Sequence, residues 1–548
     1  MKQFSFFDRE NTINELQSIE FDVLIIGGGI TGAGIALDAA SRGMKVALVE
    51  KNDFASGTSS KSTKLIHGGL RYLKQFDFWL VKEVGTERAI VHKLAPHLVV
   101  PEKMILPLVE GGTYGSWLTS VGLKIYDVLA SVEGEDKRKM LDQKEALHKE
   151  PLLPRNVLKG AGYYAEYRTD DARLTLELIK TALNYGAKSI NYSEVIEFLY
   201  NDGCVVGVTV KDELNNKVFN VKSKYIINAT GPWVDHLRLK NKGRANKKLR
   251  LSKGVHLVVN YNKFPIKQSI YFDIPDGRMM FAIPRGKSTY FGTTDTNYQG
   301  NKDEIKVDLV DAMYLIAAVN NMFPNVCVTL NDIKSSWAGL RPLIHEEGKP
   351  VSELSRKDEI FVSESGLISI AGGKLTGYRK MAERIVDLVA KKHFKQFSKE
   401  FKKTQTEGIK LTGGGFKDFN DVKSYIKSVC KRITGKNFNK KDVQYLVFNY
   451  GKQTDVILKK YDEIKKGSPE ERLIKAEVWF TVYYEMTCSP VDFFMRRTGR
   501  AYFNIDSVYD NLNLVVEEFS KHLSWKDDML NKNKKELNKA LELITSFD

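Results

Sequence analysis

Three glycines, Gly27, Gly29 and Gly32, constrain this chain more than any other feature. They stand in the stretch 21–50, FDVLIIGGGITGAGIALDAASRGMKVALVE. Residues 23–26 form a short branched apolar run, the pattern of a strand buried on both faces. An alanine-rich segment up to Gly43 reads as a helix, and 45–49 as a second strand that ends at Glu50. The spacing has a physical logic. Gly27 permits a tight turn, Gly29 lets the backbone approach a pyrophosphate, and Gly32 allows the helix to pack closely. Unpaired N–H groups at the helix start then face the anion, which makes Gly27, Gly28, Gly29 and Gly32 candidate cofactor contacts. Glu50, 18 residues beyond Gly32, is spaced to accept hydrogen bonds from ribose hydroxyls. A purely structural turn is the plainer alternative. Here, however, strand, glycines, helix, strand and acid follow in order within 30 residues, and that order specifies a dinucleotide-binding βαβ unit.

At 548 residues the chain is too long for one ordinary core, so two or three domains are expected. Its 42% apolar and 28% charged residues are those of a soluble globular protein. The 84 Lys and Arg against 68 Asp and Glu leave a charge of +16. That balance favours anionic partners: phosphorylated substrates, acidic lipid surfaces or nucleic acid. Four scattered cysteines (Cys204, Cys327, Cys430, Cys488) form no metal-type pair, so neither a disulfide framework nor a metal site is expected. The first 20 residues carry acids where a signal peptide has its apolar core. The nearest approach to a spanning segment, 23–37, is broken by five glycines and stopped by Asp38. A cytoplasmic location is expected, with peripheral attachment to the inner face of the cell membrane left open.

Residues 54–73, FASGTSSKSTKLIHGGLRYL, are dense in Ser and Thr and read as a loop. Lying just past the ribose-binding acid, such a loop borders the cofactor crevice of a doubly wound sheet. Amphipathic helices are expected at 78–94 and 117–130, with an extended segment containing Pro101 and Pro107 between them. A further helix at 171–185 opens with Asp170 and Asp171 at its positive end. Short strands follow over 189–221, and the buried strand 224–228 runs into Ala229, Thr230 and Gly231. The stretch 253–294 is strand-rich, 307–322 is a helix, and 366–371 is a strand leading into Gly372, Gly373 and Lys374. A helix continues from there to 392, a lysine-dense linker spans 392–410, and 416–548 reads as almost wholly helical.

The glycine turns at 229–231 and 371–373 each end a strand and are expected to return to the same crevice. Lys374 puts a cation at the positive end of a helix, where it serves a ligand better than it serves stability. Arg71, Arg341, Arg356 and Lys374 are the basic side chains suited to a phosphate or carboxylate, each with an ordinary ion pair as its alternative. Of nine histidines, His67 (KLIHGG) and His256 (KGVHLVV) stand apart by context, and His345 reads as a surface residue. Imidazole titrates near neutrality and can take a hydroxyl proton. His256 lies in an alternating strand, so a satisfied core histidine rivals that role.

Read together, GGGITGAGIALDAASRG, FASGTSSKSTKLIHGGLRYL, YRTDDARL, NATGPWV, KGVHLVV, FGTTDT, WAGLRPL and GGKLTGYRKMAE, in this order, resemble the FAD-dependent glycerol-3-phosphate dehydrogenases. The similarity runs from 22 to 392 and resumes in DFFMRRTGRAYFNI. It implies an α/β fold with a glutathione-reductase-type FAD-binding domain, a mixed-sheet substrate domain and an all-helical C-terminal domain. The corresponding segments are 1–75, 151–250 and 340–395 for FAD, 76–150 and 251–339 for substrate, and 396–548 for the helices. The implied reaction oxidises sn-glycerol 3-phosphate to dihydroxyacetone phosphate, with hydride passing to flavin N5. By the same resemblance Arg71, Tyr72, Arg341, Arg356 and Lys374 surround the substrate. His67 or His256 takes the C2 hydroxyl proton, and Arg341 stabilises the developing oxyanion. Thr58, Ser59, Lys64, Thr230, Gly373, Leu375 and Thr376 line the FAD. The residues alone do not choose flavin over nicotinamide; that choice comes from the resemblance.

Two electron acceptors occur in such a family, quinone for the dehydrogenases and oxygen for the alpha-glycerophosphate oxidases. The absence of an obvious inserted segment favours quinone. Residues 76–82, basic and aromatic, are a candidate contact with anionic lipid, domain packing being the alternative. A role in RNA modification or binding is not expected, because the positive charge is spread along the chain without stacking aromatics. A flavin-dependent amine oxidase is disfavoured by the surplus of phosphate-suited cations. A homodimer is left open.

Overall fold

The computed structural model describes residues 4–67, 78–112, 137–241, 248–344, 358–433 and 438–547. The expected helix at 117–130 and the site candidates Arg71, Tyr72 and Arg356, together with His345, lie outside the described residues.

Two sheets carry the site. The first grows around the strand Glu20–Ile26, whose last six residues are buried, as its unbroken apolar run requires. Val46–Val49 and Val218–Asn228 flank it in parallel. Lys188–Ile190 extends one edge, and Ile368–Gly372 extends the other beside Val218–Asn228. Three strands that meet in parallel neighbours therefore end at the same edge, and each of the three glycine turns follows one of them. The helix Ile30–Ser41 is buried along nearly its whole length, packed between Asp171–Asn184 and Tyr378–Phe397.

The second sheet is mixed and faces the first across the cleft. Its longest partners are Leu249–Asn260 and Ile333–Ile344, antiparallel, with His256 opposite Trp337, Gly254 opposite Gly339 and Ser252 opposite Arg341. Val100–Val109 pairs with Leu158–Arg168, and Leu65–Ile66 joins the same sheet. Three segments thus differ from the expected division. Leu158–Arg168, Leu65–Ile66 and Arg341 all stand on the second sheet rather than the cofactor-binding one. Alternating burial identifies a strand but carries no information on which distant strand completes its hydrogen bonds.

One face of the second sheet packs on the helix Leu309–Met322, through Phe264, Phe272 and Phe323. The other face is covered by the C-terminal helices, with Tyr290 and Trp337 against Phe493, Tyr502 and Phe519. That C-terminal part is helical, as the charge-striped sequence predicts, and includes Pro469–Tyr484, Ile505–Leu523 and Asp527–Thr545. Among the described residues no helix is long and apolar enough to cross a membrane.

Candidate active site

The turn after Glu20–Ile26 is built for close approach. Gly27 has φ of +115°, and a Cβ there would come within 2.6 Å of the Ala229 carbonyl oxygen on the neighbouring strand-end turn. A Cβ on Gly32 would overlap the Gly27 carbonyl oxygen, so the helix packs this tightly only with glycine. Gly29 caps the helix without a side-chain bond, and Ile30 N–H donates to Ser59 Oγ at 2.9 Å. Glu50 ties the unit together: Oε2 accepts from Gly28 N–H at 2.6 Å and Oε1 from Asn52 N–H at 2.9 Å. Burial pushes its carboxyl up, and those two hydrogen bonds act in the opposite direction.

These groups open onto a cavity of about 1300 Å³. Its floor is the turn and the Ser/Thr loop: Gly27, Gly29, Glu50, Thr58 and Ser59. Thr230, Gly373, Lys374, Leu375 and Thr376 line it from the other two strand-end turns. The far wall comes from the second sheet and carries His256 and Arg341, while His67 closes it from the loop. The volume exceeds that of an ordinary small-molecule pocket and suits a dinucleotide with a small substrate.

Three expected cofactor contacts do not line the cavity. Gly28 lies behind the wall, where a Cβ would meet Phe54 and Glu50, and Gly32 is shut in by the Gly27 carbonyl. Lys64 is buried, its Nζ bound to Asp171 at 2.5 Å and to the Ser60 carbonyl at 2.9 Å. It is a structural ion pair that anchors the loop to the helix Asp171–Asn184.

Arg341 lies flat over Gly254, where a Cβ would come within 2.6 Å of its Cζ. Its Nη1 donates to the Thr294 carbonyl (3.0 Å) and Asp295 (3.3 Å), and its Nη2 to Thr293 Oγ1 (2.9 Å). His256 stacks on Trp337 with ring centroids 4.9 Å apart, and its Nε2 lies 3.0 Å from Thr63 Oγ1. Burial, then the charges of Arg341 and Lys64, hold its pKa well below the usual histidine value, so the ring is neutral. The backbone N–H of His67 donates to Thr376 Oγ1 at 3.2 Å, and its ring stands edge-on to Phe281.

Sequence reasoning passed over Lys61, Thr63 and the Thr293–Asp295 segment, all of which line the cavity. FGTTDT was visible as a motif, but only the fold shows that its Thr293, Thr294 and Asp295 hold Arg341. The loop is stitched to the second sheet by Trp337 Nε1 donating to the Ser62 carbonyl (3.1 Å) and Tyr290 OH donating to the Thr63 carbonyl (3.0 Å). From the other side Asp53, fully buried, accepts from Arg496 and Arg497.

The family model for FAD dependent oxidoreductases matches residues 22–379, and that for the C-terminal domain of alpha-glycerophosphate oxidase matches 404–530. The chain is 50% identical over 542 residues to the aerobic glycerol-3-phosphate dehydrogenase of Bacillus subtilis strain 168, covering 98% of each chain. It is 48% identical over 545 residues to that of Staphylococcus aureus strain USA300, covering 98% of this chain and 97% of the other. The crystal structure of the glycerol-3-phosphate dehydrogenase from Bacillus halodurans, complexed with FAD, superposes with a TM-score of 0.85 at 42% identity and 99% coverage of both chains. The strand-end glycine turns, the half-buried acid Glu50 and the size of the cavity fit the dinucleotide independently. With these relatives spanning nearly its whole length, the chain belongs to the FAD-dependent oxidoreductases and, within them, to the aerobic glycerol-3-phosphate dehydrogenases, with FAD as its cofactor.

Proposed function

We propose that this chain oxidises sn-glycerol 3-phosphate to dihydroxyacetone phosphate and passes the electrons to quinone. The observation that carries the substrate reading is Arg341, a guanidinium lining the same cavity as the imidazoles of His256, on its own wall, and His67, on the loop. FAD, when bound, accepts the C2 hydride at flavin N5. The chain's own residues orient the substrate and move its proton. Arg341 draws the C2 oxygen, and as the O–H bond breaks it stabilises the charge left on that oxygen while the C=O bond forms. His67 takes the proton. It lines the cavity from the glycine-flanked loop, whereas burial and the charges of Arg341 and Lys64 lower the proton affinity of His256. His256, held by Thr63 and stacked on Trp337, serves as a neutral wall. Lys374 and, by family resemblance, Arg71, Tyr72 and Arg356 hold the phosphate.

Quinone is favoured over oxygen because the relatives that match this chain end to end are named dehydrogenases. A cytoplasmic enzyme resting on anionic lipid is supported by Trp79, 80% exposed on the helix Phe78–Leu94 with Lys82 beside its ring. The test is turnover of the purified, FAD-loaded protein with glycerol 3-phosphate, following oxygen uptake and peroxide, then repeating with a soluble quinone. Quinone-dependent turnover with little peroxide is expected. Stoichiometric peroxide would make the protein an oxidase, and a flavin that stays oxidised under glycerol 3-phosphate without air would remove the substrate assignment.

A further inference from the structure

Most cations lining the cavity are answered by the chain itself. Arg341 pairs with Asp295, Arg278 with Asp276 and Lys51 with Asp303, and Lys302 donates to the Pro232 carbonyl. Lys61 differs. It lines the cavity, half-buried, and among the described residues no carboxylate, carbonyl or hydroxyl engages its Nζ. Its charged neighbour is another cation, Arg496, already committed to Asp53 and Asp492. Its position along the cavity is fixed by backbone: the Lys61 carbonyl oxygen lies where a Cβ on Gly339 would come within 2.5 Å of it. Gly339 pairs with Gly254, between the His256 and Arg341 positions, and Thr58 nearby donates to the Leu340 carbonyl at 2.7 Å. Lys61 therefore stands against the second sheet beside Gly339, two residues beyond Ser59, whose Oγ meets the Ile30 N–H of the glycine turn.

We propose that the Lys61 ammonium is the counter-charge that this chain holds for the reduced cofactor, facing the ring end of FAD and stabilising the negative charge gained there. A hydride brings two electrons and one proton, so the ring gains one negative charge unless a second proton follows. A half-buried cation without a counter-ion is the arrangement that favours such an anion. Burial, then Arg496, pull Lys61 down to about 8, as expected for an ammonium whose partner charge comes from outside the chain. The inference rests on FAD as cofactor and not on the choice of substrate.

The experiment is the reduction potential of FAD in the loaded enzyme, measured by dye equilibration without substrate, for the unmodified protein, Lys61→Gln and Lys61→Arg. Lys61→Gln keeps hydrogen-bonding capacity on a side chain one atom shorter while removing the charge. It is expected to weaken binding of reduced relative to oxidised FAD by about tenfold to a hundredfold, a fall of about 30–60 mV. Lys61→Arg should restore at least half of that. An unchanged potential overturns the proposal. Joined to a tenfold rise in KM for glycerol 3-phosphate, it would give the charge to the substrate phosphate; joined to weaker binding of oxidised FAD, to the pyrophosphate. Should Lys61→Gln fail to retain FAD, the unmodified enzyme decides. Its fully reduced flavin at pH 7 should show the anionic absorption, and a neutral reduced spectrum would sink the idea.

Discussion

Asp53 and Arg497 meet in a two-pronged ion pair, with Nη1 and Nη2 at 2.7 and 2.8 Å from the two carboxylate oxygens, across a separation of 444 residues. Arg496 adds a third contact at 2.6 Å and Asn191 a fourth at 3.0 Å. Burial acts to raise the Asp53 carboxyl, but the charges and hydrogen bonds of Arg497 and Arg496 together outweigh it and keep it ionised. Asp53 begins the loop whose residues 56–59 and 61–63 line the cofactor cavity, so the C-terminal helices fix that loop from behind. Truncating Arg497 to Ala would leave a buried carboxylate short of its partner, at about 3–5 kcal/mol. The expected outcome is a lower unfolding midpoint together with faster FAD release, read by flavin fluorescence on dilution. A variant that loses stability yet retains FAD at the unmodified rate would show that the ion pair supports the core and not the loop.

Arg341→Ala removes the guanidinium that lies over Gly254, while the FAD turn, some way along the cavity, is untouched. Turnover should fall about 100- to 1000-fold, the loss typical of removing one donor to a developing oxyanion, with the flavin spectrum preserved. Arg341→Lys should recover only part, because an ammonium cannot reproduce the fork held by Thr293, Thr294 and Asp295. Steady-state kinetics on the loaded variants checks this. Unaltered kcat and KM in Arg341→Ala would take Arg341 out of the reaction.

His67→Gln should slow flavin reduction by about 100-fold or more in anaerobic stopped-flow with glycerol 3-phosphate, since a general base contributes on that scale. The companion His256→Gln should change the rate less, because a ring held neutral by burial and two cations has little proton affinity to lose. Reversal of that order would transfer the base role to His256.

Where the chemistry is local, the sequence was legible. Gly27 and Gly32 act through contacts within one βαβ unit, and the helix and strand around them follow from apolar runs of the right length. Partnership over distance was not legible. Lys64 and Lys61 stand three residues apart in one Ser/Thr-rich loop, yet Lys64 is taken up by Asp171, 107 residues away, while Lys61 faces the cavity. Nothing in the loop's composition separates the two, because the difference is made by the helix packed beneath one of them. Leu158–Arg168 shows the same limit at the level of the sheet, its strand pattern being silent about Val100–Val109. Arg341 was found by residue type, whereas the Thr293–Asp295 segment that orients it needed the fold.

His97 supplies a prediction about pH that is independent of catalysis. It is buried with neither ring nitrogen hydrogen-bonded among the described residues, and its ring centroid lies 5.8 Å from that of Phe416. Burial, then Arg173 and Lys180, hold its pKa down to about 3, against 6.5 for the ordinary side chain. Between those two values the unfolded chain binds a proton that the native state refuses, so stability falls as pH falls. The drop from this one group is about 1.4 kcal/mol between pH 7.5 and 5.5. His97→Phe keeps an aromatic ring against Phe416 and removes the titration. Urea unfolding of the two proteins at both pH values should therefore show the unmodified protein losing about 1.4 kcal/mol more than the variant on acidification. The variant should also be at least as stable at pH 7.5, where it no longer buries two unsatisfied nitrogens. Equal losses in the two proteins would mean that His97 gains a proton partner in solution or is reached by water.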